Sequence, residues 1–149
     1  MDETAFWNLI AHIDVAALES GDEEGAVVPL QQVLEGLTEN ELDAFDELLA
    51  QQLYNIDGKM YADNAGESAG SDDGFLYARC YVVARGRDYY ERVKQDPRQM
   101  PKTLDQWCES LLYPHRNAWA NLTGRDVSES PFTASVSYET GSNRALWAD

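Results

Sequence analysis

Residues 71–97 constrain the fold more than any other part of the chain, because they combine a helix start signal, the longest apolar stretch and the only basic cluster. Ser71 and the two acids after it can cap a helix by accepting hydrogen bonds from the free N–H groups of its first turn. The pattern predicts a helix from about residue 73 to 85, and Gly86 predicts its end. Apolar residues cover more than half of its circumference, which indicates a buried central helix.

Arg79 is the one charged residue between Phe75 and Val83 in this predicted helix. A guanidinium among apolar neighbours is tolerated only when a carboxylate and further acceptors meet it. Asp72 and Asp73 lie about 9–10 Å away along the helix, so an acid from another element is an equal candidate for the partner. Two interpretations stay open: a structural ion pair that fixes the helices together, or an arginine that binds a ligand.

The run SDDGFLYAR, followed by GRDYYE and DP, resembles a bacterial family known as domain of unknown function 4240. The similarity extends to ETAFWNLI, ENELDAFDELL, WCESLL and AWANLTG, so that it covers roughly residues 3–124. Family members usually carry an aromatic residue where this chain has Ala78 and a tryptophan where it has Tyr81. The resemblance implies a helical fold, and no established activity comes with it.

The whole pattern predicts a mainly α-helical protein, with one compact multi-helix domain around the buried central helix. Thr38 and Glu41 have the spacing of a capping box, and a strongly amphipathic helix follows them. From Phe132 to Tyr138 polar and apolar residues alternate, which predicts an extended segment or a short β-strand or hairpin. We therefore expect a helical domain over residues 1–124, with an extended C-terminal segment over residues 125–149 docked on it.

The charge of the chain is acidic and unevenly distributed. The formal net charge is −16; residues 1–58 contain 14 Asp or Glu and no Lys or Arg, whereas residues 79–102 contain seven basic and three acidic residues. Acidic helices beside the basic segment would reduce self-repulsion and supply a carboxylate for Arg79. Nucleic-acid binding is disfavoured, because it needs a basic surface that displaces phosphate counterions. The acidity fits either simple solubility or a surface for a basic partner protein.

The cysteine content and the hydropathy of the chain predict the cellular compartment of the protein. Cys80 and Cys108 are too few for a disulfide framework, which fits a reducing environment. No apolar run approaches the roughly 20 residues needed to span a bilayer, and the N-terminus lacks the regions of a signal peptide. We therefore expect a cytoplasmic protein without a membrane segment.

Signatures of common catalytic and cofactor sites are absent from the sequence. It has no phosphate-binding glycine loop, dinucleotide fingerprint, nucleophile elbow or pair of Cys or His residues at zinc spacing. Asp43, Asp46 and Glu47 lie on a face of the capped helix that is predicted to be exposed, where solvation disfavours catalysis. The acids between residues 63 and 73 lack the spacing of a calcium loop. We expect no metal and no cofactor.

Two hypotheses of different classes follow. The leading one is a non-catalytic acidic interaction protein, an accessory or neutraliser of a basic bacterial partner. The alternative is a small cofactor-free enzyme or anionic-ligand-binding domain, so the question of enzymatic activity stays open. A concave pocket with Arg79 accessible at its floor would support the alternative. An Arg79 fully enclosed by carboxylate and carbonyl partners, with no cavity beside it, would remove it. The candidate residues of that site are Asp72, Asp73, Tyr77, Arg79, Tyr81 and Arg85.

Overall fold

The fold is mainly α-helical, as predicted. The computed structural model describes residues 1–148, and no β-strand occurs among them. Within those residues the α-helices, labelled in chain order, are α1 Glu3–Ile10, α2 Val15–Glu19, α3 Glu23–Ala26, α4 Val28–Leu34, α5 Glu39–Asn55, α6 Lys59–Asp63, α7 Asp72–Ala84, α8 Arg87–Gln95, α9 Pro114–Thr123 and α10 Arg144–Trp147. Short 3-10 turns occur at Gly66–Ala69, Pro97–Gln99, Glu109–Leu112 and Val127–Glu129. In this part of the chain, every helix is too short or too polar to cross a membrane.

Acidic residues fix the starts of the N-terminal helices. The side chains of Asp2, Asp14 and Asp22 accept hydrogen bonds from backbone N–H groups in the first turns of α1, α2 and α3. Thr38 and Glu41 form the predicted capping box of α5. Each cap satisfies an N–H group that has no partner within its helix. Part of the acidity of residues 1–58 therefore serves local structure.

Helix α7 is the buried central helix that the sequence predicts. It begins at Asp72 after the N-cap Ser71, and its residues from Gly74 to Ala84 are all buried except Tyr77. The elements packed against α7 include α5, α8 and the 3-10 turns Gly66–Ala69 and Glu109–Leu112. Because a helix with apolar residues around most of its surface needs neighbours on every side, the other elements surround it.

Aromatic side chains tie α1, α5 and α8 together in the core. The ring centroids of Phe6 and Phe45 are 5.1 Å apart, and those of Trp7 and Tyr90 are 5.0 Å apart. The Tyr90 hydroxyl donates a hydrogen bond of 2.7 Å to the Gln52 carbonyl. The apolar rings are thus buried without leaving the polar end of Tyr90 unsatisfied.

Residues 130–148 form a C-terminal strap that crosses α5 and α7. Exposed and partly buried residues alternate from 129 to 140, which follows the alternation in the sequence. The Ser135 backbone N–H and hydroxyl both donate to the Glu47 carboxylate at 2.8 Å, and Trp147 packs edge-on against Phe75. The alternative of a β-strand or hairpin is not supported, because the strap pairs with helix side chains instead of a strand. Asp149, the last residue of the predicted segment, lies outside the described residues.

At Gly74, α7 lies close against its neighbours. A Cβ atom on Gly74 would lie 2.8 Å from the Ser68 carbonyl oxygen and 3.0 Å from Trp107 Cζ2. Overpacking costs about 1–3 kcal/mol, and replacing glycine by alanine within a helix returns at most about 1 kcal/mol. We therefore expect Gly74→Ala to lower the free energy of unfolding by about 1 kcal/mol or more, measured by urea denaturation.

Gly36→Ala is the matched control. Its added Cβ would meet only the Val33 carbonyl oxygen, at an ordinary contact distance of 3.5 Å. The free energy of unfolding should then change by less than about 0.5 kcal/mol. Equal losses in the two variants would contradict the close packing of α7 on the turn Gly66–Ala69.

Candidate functional site

Arg79 is completely enclosed by protein groups. Its side chain is 0% exposed, and Asp57 Oδ1 lies 4.0 Å from its Nη2. The guanidinium donates hydrogen bonds to the Leu53 carbonyl at 3.0 Å and the Thr140 hydroxyl at 3.1 Å. It also lies over the Phe75 ring, 4.7 Å from the centroid. The carboxylate partner therefore comes from another element, the turn after α5.

Asp57 is a buried carboxylate that accepts hydrogen bonds from the strap. Its donors are the backbone N–H groups of Gly141 at 3.1 Å and Asn143 at 3.0 Å, and the indole N–H of Trp147 at 2.8 Å. Burial lowers the pKa of Arg79, and the negative charge of Asp57 opposes that shift. Because buried charges need partners, the strap contributes donors to Asp57 and an acceptor to Arg79. Nε of Arg79 is buried without a hydrogen-bond partner among the described residues.

The two acids at the start of α7 do not reach the Arg79 guanidinium. Asp72 and Asp73 are exposed in the first turn of the helix. Only the Asp72 backbone carbonyl joins the network, by accepting a hydrogen bond of 2.7 Å from the Thr140 hydroxyl. Thr140 thereby connects Arg79 to the N-terminal turn of its own helix.

The remaining predicted site residues lie on other faces of α7. Tyr77 packs against Trp107, with ring centroids 5.7 Å apart. Arg85 donates to the Tyr81 hydroxyl at 3.1 Å and forms an ion pair of 3.2 Å with Glu19, which joins the basic segment to an acidic N-terminal helix. Tyr77, Tyr81 and Arg85 are spaced four residues apart and lie on one side of the helix, and Arg79 is rotated by about 200° from Tyr77 and Tyr81. The structure thus brings Tyr81 and Arg85 together, but the six side chains do not converge on one pocket. The enclosure of Arg79 favours the structural ion pair.

A second cluster, which the sequence analysis missed, joins α5 to α9. His115 Nε2 lies 3.4 Å from Asp46 Oδ1, and Arg116 Nη1 lies 3.1 Å from Asp46 Oδ2. Burial raises the pKa of Asp46, but the hydrogen bonds and positive charges of His115 and Arg116 outweigh it, so that the pKa lies below its ordinary value.

The prediction of a solvent-exposed face is wrong for Asp46, whose side chain is only 15% exposed. The spacing of Asp46 in the sequence was the signal that it is partly buried. It lies four residues after Leu42 and three before Leu49, and both of those leucines are buried. An acid within an apolar stripe predicts a buried partner. The sequence does not reveal that this partner lies on α9.

The strap forms one wall of a cleft beside this cluster. The cleft has a volume of about 410 Å³ and is lined by Asp46, His115, Arg116 and strap residues between 132 and 139. His115 is 4% exposed, and its Nδ1 is buried without a hydrogen-bond partner among the described residues. Since a carboxylate only accepts, the contact with Asp46 places a proton on Nε2.

A third concave surface is acidic. A groove of about 310 Å³ beside α3, α4 and α9 is lined by Glu23, Glu24, Glu109 and Tyr113, and no basic side chain is among its lining residues. The Glu23 carboxylate accepts hydrogen bonds from the Ser110 N–H and hydroxyl at 2.9 Å. The Tyr113 hydroxyl donates to Glu109, which raises the pKa of Tyr113 to about 12. The groove thus combines negative charge with a half-exposed aromatic ring.

The two cysteines are buried thiols. Burial raises the pKa of Cys108 to about 12 and that of Cys80 well above its ordinary value. Thiols with raised pKa values are poor nucleophiles and poor metal ligands. Within residues 1–148, no three His, Cys, Asp or Glu side chains are grouped so as to hold a metal ion.

The chain belongs to a family of proteins whose function is unknown. The family model described as Protein of unknown function (DUF4240) matches residues 1–121 of the 149. This match confirms the resemblance carried by the run SDDGFLYAR. No curated protein and no solved structure matches the chain. The matched span includes α7, Asp57 and the floor beneath the strap, while the strap itself lies outside it.

The Asp57–Arg79 pair predicts that replacing Asp57 lowers the free energy of unfolding more than replacing Arg79. Asp57→Asn removes the charge that balances a buried guanidinium, so we expect a loss of about 3–5 kcal/mol in the free energy of unfolding. Arg79→Met leaves Asp57 with three N–H donors, and the loss should be smaller, about 1–3 kcal/mol. Urea denaturation of the two variants measures the difference. A larger loss for Arg79→Met would contradict the role of the strap donors.

The Asp46 cluster predicts a pH-dependent contribution to stability. Because the folded pKa of Asp46 is lowered, its contribution is fully present above the unfolded carboxyl pKa of about 3.9. It is lost as the pH falls through the lower, folded value. Asp46→Asn should lower the free energy of unfolding by about 1–3 kcal/mol at neutral pH. The difference from wild type, measured by urea denaturation at several pH values, should shrink below pH 3.8; a constant difference would contradict the ion pair.

Proposed function

We propose that the protein is a non-catalytic acidic interaction protein that binds a basic segment of a partner protein. The observation that carries this proposal is the uncompensated charge of residues 1–58. Of their 14 acids, the four that form ion pairs with basic side chains in the described chain are Glu3, Glu19, Asp46 and Asp57. The carboxylates outside these pairs supply a negative potential that attracts and orients a basic partner.

Several of those carboxylates also have local roles. Asp2, Asp14 and Asp22 cap helices and remain exposed. A capping hydrogen bond does not neutralise the charge of the carboxylate, so the charge stays available at the surface. Capping alone therefore does not remove the electrostatic attraction for a basic partner.

The acidic groove is the proposed point of contact. Glu24 and Glu109 come from segments far apart in the sequence and line the same groove, beside the half-exposed ring of Tyr113. Carboxylates form charge-assisted hydrogen bonds with a lysine or arginine side chain, and an aromatic face adds a cation–π contact. A basic side chain would find both groups within this groove.

The geometry around Arg79 does not favour the alternative, an enzyme or anionic-ligand site centred on that residue. An anion cannot contact a guanidinium that is 0% exposed unless the strap moves away. Arg85, which directly follows the central helix, is also paired, with Glu19. The acidic surface therefore remains the better-supported basis for function.

Matched charge variants test the proposal. The groove variant Glu24→Gln with Glu109→Gln and the control variant Glu67→Gln with Asp73→Asn each remove two negative charges. Binding of a lysine- and arginine-rich peptide is measured by isothermal titration calorimetry over a series of salt concentrations. We expect the groove variant to bind about tenfold more weakly than wild type, and the control variant to change by less than about threefold.

Equal losses in the two variants would overturn the assignment to the groove, because they would show that only net charge matters. Binding that does not weaken with added salt would contradict an electrostatic complex altogether. The glutamine at position 109 can still accept a hydrogen bond from Tyr113, so the variant changes charge without opening the groove.

A further inference from the structure

A second acidic cavity adjoins the acidic groove. It has a volume of about 380 Å³, lies between the end of α2 and residues 104–107, and has Glu19, Glu23 and Asp105 among its lining residues. Glu23 also lines the acidic groove, so the two cavities meet at this residue. Because Arg85 pairs with Glu19 at 3.2 Å, Glu23 and Asp105 supply the remaining charge. No basic side chain of the described chain lines either cavity.

Hydrogen bonds hold the walls of these cavities in place. Glu23 Oε1 accepts hydrogen bonds from the backbone N–H and the hydroxyl of Ser110, both at 2.9 Å. The indole N–H of Trp107 donates to the Ser68 carbonyl at 3.0 Å, and its ring packs edge-on against Tyr77. Since these side chains are already ordered, a partner that binds here causes little further loss of side-chain entropy in the protein.

Large apolar side chains are exposed beside these carboxylates. Leu104 is 55% exposed in the second acidic cavity, and Tyr113 is 48% exposed in the acidic groove. Leu104 directly precedes Asp105 in the chain, and the Tyr113 hydroxyl donates to Glu109. Each cavity therefore presents an apolar surface next to a negative charge. Such a combination is complementary to a partner that carries both positive charge and apolar surface.

Lysine and arginine side chains have the shape that such cavities accommodate. Their apolar stems pack on apolar surface while the charged end reaches a carboxylate. In the acidic groove the stem would lie against Tyr113, and in the second acidic cavity against Trp107. Because Glu23 borders both cavities, a partner that fills both places one basic residue on each side of this carboxylate. An apolar residue beside the second basic one would cover Leu104.

We propose that the acidic groove and the second acidic cavity together bind an amphipathic basic segment of another protein. The segment carries a basic residue for each cavity and an apolar residue that covers Leu104. This inference rests on the proposed function, because it specifies the basic partner and extends the surface that the partner contacts. The two are distinguished by salt: attraction between charges is screened by added salt, whereas burial of apolar surface is not.

Two sets of synthetic peptides of equal length and charge test the inference. Each peptide carries two arginines in a chain of glycine and serine, and the spacing between the arginines is varied within a set. The first set has leucines beside one arginine, and the second has serines in their place. Binding to the full-length chain is measured by isothermal titration calorimetry at low and at high salt. We expect the best leucine peptide to bind about tenfold more tightly than its serine counterpart, and most of this ratio to remain at high salt.

Two exposed leucines provide a matched pair of variants. Leu104→Ser should weaken binding of the leucine peptide about fivefold and leave binding of the serine peptide unchanged, because it removes apolar surface alone. Leu122 is 50% exposed on α9 and lines neither cavity. Leu122→Ser should therefore change the binding of either peptide by less than about twofold. Asp105→Asn removes a charge from the second acidic cavity and should weaken binding of both peptides about threefold at low salt.

The outcomes separate this inference from the proposed function. Weaker binding by the groove variant, with no effect of Leu104→Ser or Asp105→Asn, would overturn the inference and leave the proposed function in place. Equal losses in Leu104→Ser and Leu122→Ser would also overturn the inference, because binding would then follow surface hydrophobicity in general. A groove variant that binds both peptides as tightly as wild type would overturn the proposed function, and this inference with it.

Discussion

The buried pair of Arg79 and Asp57 sets the relative positions of three parts of the chain. A guanidinium at the centre of an apolar helix must be met by a carboxylate and by further acceptors, and no single element supplies them all. Leu53 and Asp57, at the end of α5 and just after it, contact the guanidinium, and so does Thr140 of the strap. The strap donors in turn satisfy Asp57. Replacing a buried pair by apolar residues is often neutral for stability, whereas removing one partner alone is costly, so the two residues depend on each other.

Acidic side chains serve two purposes in this fold. Some are structural acceptors: Asp22 caps α3, Glu23 accepts from Ser110, and Glu47 holds the strap. Others stay at the surface without a basic partner in the described chain and give the protein its negative potential. Since the same carboxylate can do both, a count of acids overstates the charge that is free for binding.

The candidate site was only partly predictable from sequence. The apolar arc of α7 implied that Arg79 is buried and needs a partner, and both statements hold in the structure. The grouping of Tyr77, Tyr81 and Arg85 with Arg79 into one candidate site is not supported, because Tyr77 and Tyr81 lie on the opposite side of the helix from Arg79, and Arg85 contacts Tyr81 instead. The sequence does not show the cluster of Asp46 and His115, because the two residues lie on different helices, α5 and α9, whose packing local spacing does not report.

The sequence by itself determined the helical class, the caps of α5 and α7, and the burial of the central helix. These features follow from local spacing and from hydrogen bonds within one turn. Only the tertiary structure decided which acid meets Arg79 and whether the C-terminal alternation becomes a strand. Periodicity reports which side of a segment is buried but not what lies against it. An extended chain alternates in the same way over helices as in a sheet, so Phe132 to Tyr138 could not distinguish the two.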